Sequence, residues 1–197
     1  MEGPLPGRKK ESSQMQRRLF TKTLCCALFA TMIGSVALRA QDDKKSRPSP
    51  PEQATVSFGS KTVTIDYSAP SMKGRKIFGG LVPYDHWWRT GANEATTLKT
   101  DINLRIGTLG VPAGTYTLYT LPSENGWTLI VNKQTGQWGT KYDETQDLGR
   151  VKMSEGVMPS SPVETFQMKF ENTKDLTTEL HLAWDTTNVF VQVTAIP

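Results

Sequence analysis

The stretch TYTLYTLPSENGWTLIVN, residues 115–132, decides the fold of this chain. Two runs that alternate apolar and polar residues, 115–121 and 127–132, flank Ser123, Glu124, Asn125 and Gly126. Asn-Gly between alternating runs is the strongest short-range hairpin signal, because both residues accept the backbone angles of a tight turn between twisted strands. The pattern predicts an antiparallel hairpin at the centre of a β-rich protein.

Outward from the hairpin the same period-2 pattern recurs. Toward the C-terminus, residues 151–153 read as a short strand, and 164–170, 178–184 and 188–195 as three closing strands. Phe166, Met168 and Phe170 share one face of the first of these. Leu180, Leu182 and Trp184 share one face of the next, which puts His181 on the polar side, exposed beside Glu179. Toward the N-terminus, Pro112, Ala113 and Gly114 form a turn, preceded by strands at 96–101 and 102–106. In residues 61–67, Val63, Ile65 and Tyr67 share a face opposite Thr62, Thr64 and Asp66, and Gly59-Ser60 turns the chain back onto 56–58. Outside the leader no segment keeps apolar residues at i, i+3, i+4 and i+7 over three turns; a single helical turn at 84–88 is the most the pattern allows. Many short strands at regular spacing predict an all-β fold, a single-domain antiparallel β-sandwich, jelly-roll-like, spanning 54–197. Two long connections, 73–97 and 133–150, interrupt it and are read as ordered loops, since both carry aromatic residues among their polar ones.

The formal charge of +4 is misleading, because residues 1–40 alone carry +5 and the remainder carries −1. A near-neutral body gives no electrostatic support for a nucleic-acid partner. The basic residues belong to a leader: Arg17, Arg18 and Lys22 precede an apolar run at 24–38, and small residues offer cleavage after Ala37 or Ala40. The polar start at Gln41 favours the second. The apolar run is shorter than the roughly 20 residues of a membrane-spanning helix, so residues 1–40 are read as a cleaved signal peptide, with no membrane attachment afterwards. Met15 opens a leader of more usual length. The expected location is therefore periplasmic or secreted. Residues 41–53, charged and Pro-rich, read as a disordered linker. Both cysteines, Cys25 and Cys26, fall inside the leader, which leaves the exported domain without disulfides or thiolate chemistry.

That export reading also bounds the chemistry. Only His86 and His181 remain as imidazoles, without a ligand spacing, and no metal or cofactor is expected. A carboxylate site around Asp143, Glu144 and Asp147 lacks a Gly-centred calcium loop. No Gly-x-Ser-x-Gly elbow or phosphate loop occurs in strand–loop–helix context. The 73–97 connection instead gathers Arg75, Trp87, Trp88, Arg89, Asn93 and Glu94. Two guanidiniums can clamp an anion. Asn93 donates and accepts, Glu94 can act as acid or base, and an indole face suits a sugar ring. Tyr142 and Arg150 of the second connection are expected nearby. The opposing reading pairs Arg89 with Glu94 inside the loop and uses the indoles to plug the end of the sandwich.

Three groups of residues carry a resemblance: KGRKIFGGLVPY (73–84), WRTGANEAT (88–96) and PAGTY (112–116). With Trp127, Trp138-Gly139, VETF at 163–166 and Trp184, they resemble the domain-of-unknown-function 2911 family over residues 53–196. The chain departs from the family's pattern at Asp85, His86 and Trp87, so no role passes to His86. The resemblance implies an exported bacterial protein with one β-rich domain and brings no reaction or substrate. Function is therefore expected to be a non-catalytic module binding a small polar or carbohydrate-like ligand at the cell envelope, at Arg75, Trp88, Arg89, Asn93, Glu94, Tyr142 and Arg150. The alternatives are a hydrolase with Glu94 as acid or base and Arg75 and Arg89 as anion clamp, or a protein-interaction domain without a small-molecule site.

Overall fold

The alternating runs become strands. In the computed structural model, which describes residues 46–197, Arg47–Pro197 is one compact unit, all-β apart from a single 3₁₀ turn at Glu144–Gln146. The leader at 1–40 and linker residues 41–45 lie outside the described residues. β1 (Pro51–Phe58) begins inside the stretch read as linker, and pairs with β2 (Lys61–Ser68) across a turn at Gly59, where φ is 62°. The charged and Pro-rich composition of 51–53 hid that pairing: Glu52 faces Tyr67 and Gln53 faces Asp66, so the partner strand orders them.

β3 (Thr97–Thr100), β4 (Asn103–Ile106) and β5 (Leu109–Val111) follow the long loop. β6 (Gly114–Ser123) and β7 (Gly126–Asn132) form the expected hairpin, with Ser123 opposite Gly126. Its loop residues are thus Glu124 and Asn125, and Gly126 opens the return strand with φ 140°. β8 (Asp147–Glu155), β9 (Val163–Lys174), β10 (Thr177–Asp185) and β11 (Thr187–Ile196) complete the chain. No helical turn forms at 84–88, because two of its backbone groups are drawn to the sheet: Asp85 N–H donates to Pro122 O (2.8 Å) and Trp88 N–H to Thr120 O (2.7 Å).

Hydrogen bonding runs β1-β2-β3-β6-β7-β8-β11-β10-β9, with β4 joined to β11 and β5, and the pairs are antiparallel. The path nearly closes on itself. Phe166 N–H donates to Pro70 O (2.9 Å) and Met72 N–H to Glu164 O (2.8 Å), tying β9 to the chain leaving β2. Near-closure into a barrel-like shape removes most of the unpaired edge that an open sheet would expose.

Inward positions of these strands bury Val63, Ile65, Leu118, Leu129, Val131, Leu180, Leu182 and Val191. Among them sits an aromatic cluster of Phe78, Trp88, Trp127, Phe166 and Trp184. Trp88 stacks on Trp184 at 5.8 Å and 18°, and Phe78 meets Trp127 edge-on at 4.8 Å. Such pairs add about 0.5–1.5 kcal/mol each beyond the area they bury.

His181 corrects the sequence reading, since it is buried rather than exposed. Its cross-strand neighbour is Phe190, and the two rings stack at 5.0 Å, so the outward face of β10 is covered by an aromatic side chain from β11. The imidazole is held at both nitrogens, Nδ1 3.1 Å from Asn188 Oδ1 and Nε2 3.0 Å from Glu179 Oε2.

Candidate functional site

The connection between β2 and β3 is an ordered structure fastened at many points. Tight turns hold its first half, with Leu81 N–H donating to Lys76 O (3.0 Å) and Val82 N–H to Ile77 O (2.9 Å), which turns Ile77, Phe78 and Val82 into the core. Trp88 then exchanges two backbone hydrogen bonds with Thr120 of β6, beyond the point where β3 stops pairing. Extended backbone at this rung sends neighbouring side chains to opposite sides. Trp88 accordingly points into the aromatic cluster, whereas Trp87 lies outside against Tyr119 (5.6 Å) and Tyr142 (5.0 Å). Thr90, wholly buried, donates to Thr120 Oγ1, and its own carbonyl accepts from Thr96 Oγ1 at 2.8 Å.

This arrangement leaves a cleft of about 200 Å³ bounded by Arg75, Leu81, Val82, Arg89, Trp88 and Trp184, with Ser49 at its margin. Arg75 is exposed and its head is oriented by two backbone carbonyls, Nε donating to Met72 O (2.9 Å) and Nη2 to Ser71 O (2.7 Å). Arg89 is half-buried, and its Nε is enclosed with no hydrogen-bond partner. Burial lowers its pKa from the usual arginine range, the direction expected for a cation that loses water without gaining an anion. Among the described residues neither arginine takes part in an ion pair. A buried donor without a partner costs free energy, and each such group calls for an explanation.

Asn93 and Glu94 were expected beside these arginines, but they hold the chain entering β1. Asn93 adopts φ 58°, a left-handed angle that Asn tolerates, and its Nδ2 donates to Ser49 O at 3.1 Å. Glu94 takes a two-pronged ion pair from Arg47 Nη1, at 2.9 and 3.1 Å. The Arg89–Glu94 pair considered from sequence is not formed. Arg47 was missed because a lone arginine in a polar, Pro-rich stretch has no pattern to mark it. Both partners of the clasp are substantially exposed, so Arg47→Ala is expected to lower stability by no more than about 1 kcal/mol in a urea melt.

Tyr142 is near the first connection, as expected, packing on its Trp87 at 5.0 Å, but neither Tyr142 nor Arg150 is among the residues lining the cleft. Asp147 draws them elsewhere: its Oδ2 accepts from Tyr142 Oη (2.8 Å) and Arg150 Nε (2.9 Å), and its Oδ1 from Asn132 Nδ2 (2.8 Å). Arg150 also bonds Glu144 (2.7 Å), and Asp143 caps the 3₁₀ turn by accepting from Thr145 N–H. The three carboxylates weighed as a calcium set are thus engaged within the loop. Burial, reinforced by the hydrogen bond and charge of Asp147, pushes the Tyr142 phenol up to about 12, and Arg150 is raised chiefly by its bond to Asp147. A phenol raised in the folded state keeps its proton while the unfolded chain releases it. That contribution is complete below the ordinary tyrosine range and is lost as pH rises toward 12. Tyr142→Phe is expected to remove one ionisation near pH 12 from the tyrosinate absorbance titration. Loss of an ionisation near the ordinary tyrosine value of about 10 instead would place the phenol in solvent.

Fold and site together define an all-β domain with one elaborated loop that supplies most of the lining of a small cleft bearing two arginines and two indoles. The family model described as protein of unknown function (DUF2911) matches residues 49–193, and the chain belongs to that family. No curated protein matches the chain, and no solved structure does. Two pieces of the resemblance meet beside Arg89: the peptide N–H of Gly139 donates to Asn93 O at 3.0 Å, and its α-carbon abuts the Arg89 side chain. Among the described residues no group of three or more His, Cys, Asp or Glu could hold a metal ion, and no helix is long and apolar enough to cross a membrane.

Proposed function

We propose that this domain is a non-catalytic binding module, acting at the cell envelope after export, that takes a small polar ligand in the cleft between Arg75, Arg89 and Trp184. The observation that carries this reading is Arg89: a half-buried cation that lines a preformed concavity and, among the described residues, takes part in no ion pair. A body of two facing sheets supplies a rigid base for such a site. The thin junction between β8 and β11, only two residue pairs, supports describing the sheet as two layers. Export rests on the leader, and its neutral remainder fits a soluble receptor for small molecules better than a polyanion-binding surface.

The hydrolase alternative asks Glu94 to give or take a proton in the cleft. Its carboxylate is committed to Arg47, and it does not line the cavity. The discriminating experiment is a thermal-shift screen of the purified protein against sugars, peptidoglycan fragments and organic acids, repeated on Glu94→Gln and Arg89→Ala. The binding reading expects Glu94→Gln to retain every ligand-induced shift and Arg89→Ala to lose it with the fold intact. A ligand that is turned over, with turnover abolished by Glu94→Gln, would decide for the enzyme. Unfolding of Arg89→Ala would make that arginine structural.

A further inference from the structure

We propose that the ligand of the cleft is a small carboxylate with an apolar or aromatic body, its carboxyl group held by Arg75 and Arg89 and its body laid toward Trp88 and Trp184. The inference rests on reading the cleft as the binding site and adds the chemical class. Charge comes first. The charged residues lining the cleft are both arginines, and no lining residue is acidic. Arg89 has lost part of its hydration, and Arg75 is steered by two carbonyl dipoles that do not neutralise it. An anion placed between them receives paired N–H donors in the fork geometry that suits a planar carboxylate.

The remaining lining residues narrow the choice. Pro70, Leu81, Val82, Ala92 and the two indoles are apolar, and Ser49 supplies the single side-chain hydroxyl. The polar side chains of this lining are two guanidiniums, which only donate, and one hydroxyl, so a sugar's hydroxyl protons would find few side-chain acceptors here, whereas a carboxylate needs donors alone. A phosphate would present more oxygens than two guanidiniums satisfy, and here no helix N-terminus adds donors. The volume, about 200 Å³, lies below the roughly 300–1,000 Å³ of drug-sized pockets, which limits the body to a single ring or a short branched chain.

The test is titration of the full chain with benzoate, its neutral isostere benzamide, inorganic phosphate and glucose, read by tryptophan fluorescence. Benzoate is expected to saturate and to bind at least about tenfold more tightly than benzamide, the difference a charge-assisted hydrogen bond makes. Arg75→Gln, at an exposed position where substitution is expected to spare the fold, and Arg89→Gln are each expected to weaken benzoate by about tenfold or more. Arg89→Lys keeps the charge and is expected to retain part of the affinity, which separates lost binding from lost folding. Equal binding of benzoate and benzamide, or benzoate binding indifferent to both glutamine variants, overturns the carboxylate class while leaving the cleft a ligand site. Preference for glucose or phosphate overturns the class as well. No saturable response to benzoate overturns the proposal outright, whereas the wider screen described above still judges the binding reading.

Discussion

Trp184→Ala is expected to lower the stability of the domain by about 3–5 kcal/mol, the cost of truncating a large aromatic residue in a packed core. Trp184 is 1% exposed and touches Phe78, Trp88 and Phe166 at ring-centroid distances of 6.1, 5.8 and 5.9 Å. Its indole N–H also donates to Glu164 O at 3.1 Å; truncation removes that bond and leaves a void, while the carbonyl keeps the Met72 N–H. For a domain of this size the melting temperature should fall by roughly 6–20 °C. A melt within a degree or two of the native protein would mean that the facing of β10 has been misassigned.

Gly139→Ala should act on stability and binding together. A β-carbon there would sit 2.5 Å from Arg89 Cδ and 2.8 Å from the backbone oxygen of Asn93, and real structures do not tolerate either approach. The oxygen is fixed by its bond to Gly139 N–H, so relief requires moving the Arg89 side chain, the loop, or both. Overpacking of this kind costs about 1–3 kcal/mol. Displacing Arg89 should also remove the benzoate response in the fluorescence titration. Gly110→Ala makes the comparison, since its β-carbon meets nothing within 4 Å, and it should change stability by less than about 0.5 kcal/mol. If Gly139→Ala were equally silent, Arg89 would not be confined as described.

Local alternation was enough to read the hairpin at Ser123–Gly126, the inward set Val63, Ile65 and Tyr67, and the burial of Trp184, because period 2 assigns faces without knowledge of the partner strand. His181 shows where that stops: its side chain lies on the face the alternation marks as polar, yet Phe190 of the neighbouring strand covers it. Burial there is a property of the pair. The same limit applies to the site. Composition picked out Arg75, Trp88 and Arg89, which do share a cleft, but it could not see that Asp147 draws Tyr142 and Arg150 into a separate network. Nor could it pair Glu94 with Arg47 across 47 residues of chain. Trp184 was legible as core, and its second role as cleft floor depends on Trp88 arriving from a distant loop.

The side-chain indole N–H signals of the five tryptophans offer the most direct test of where a ligand sits. Titrated with benzoate and followed by heteronuclear NMR, the Trp88 and Trp184 signals should move together, with saturation, while those of the outward-facing Trp87 and Trp138 stay in place. Movement confined to Trp87 or Trp138, or no movement of Trp88 and Trp184 at saturating benzoate, would contradict the placement of the site beneath the loop.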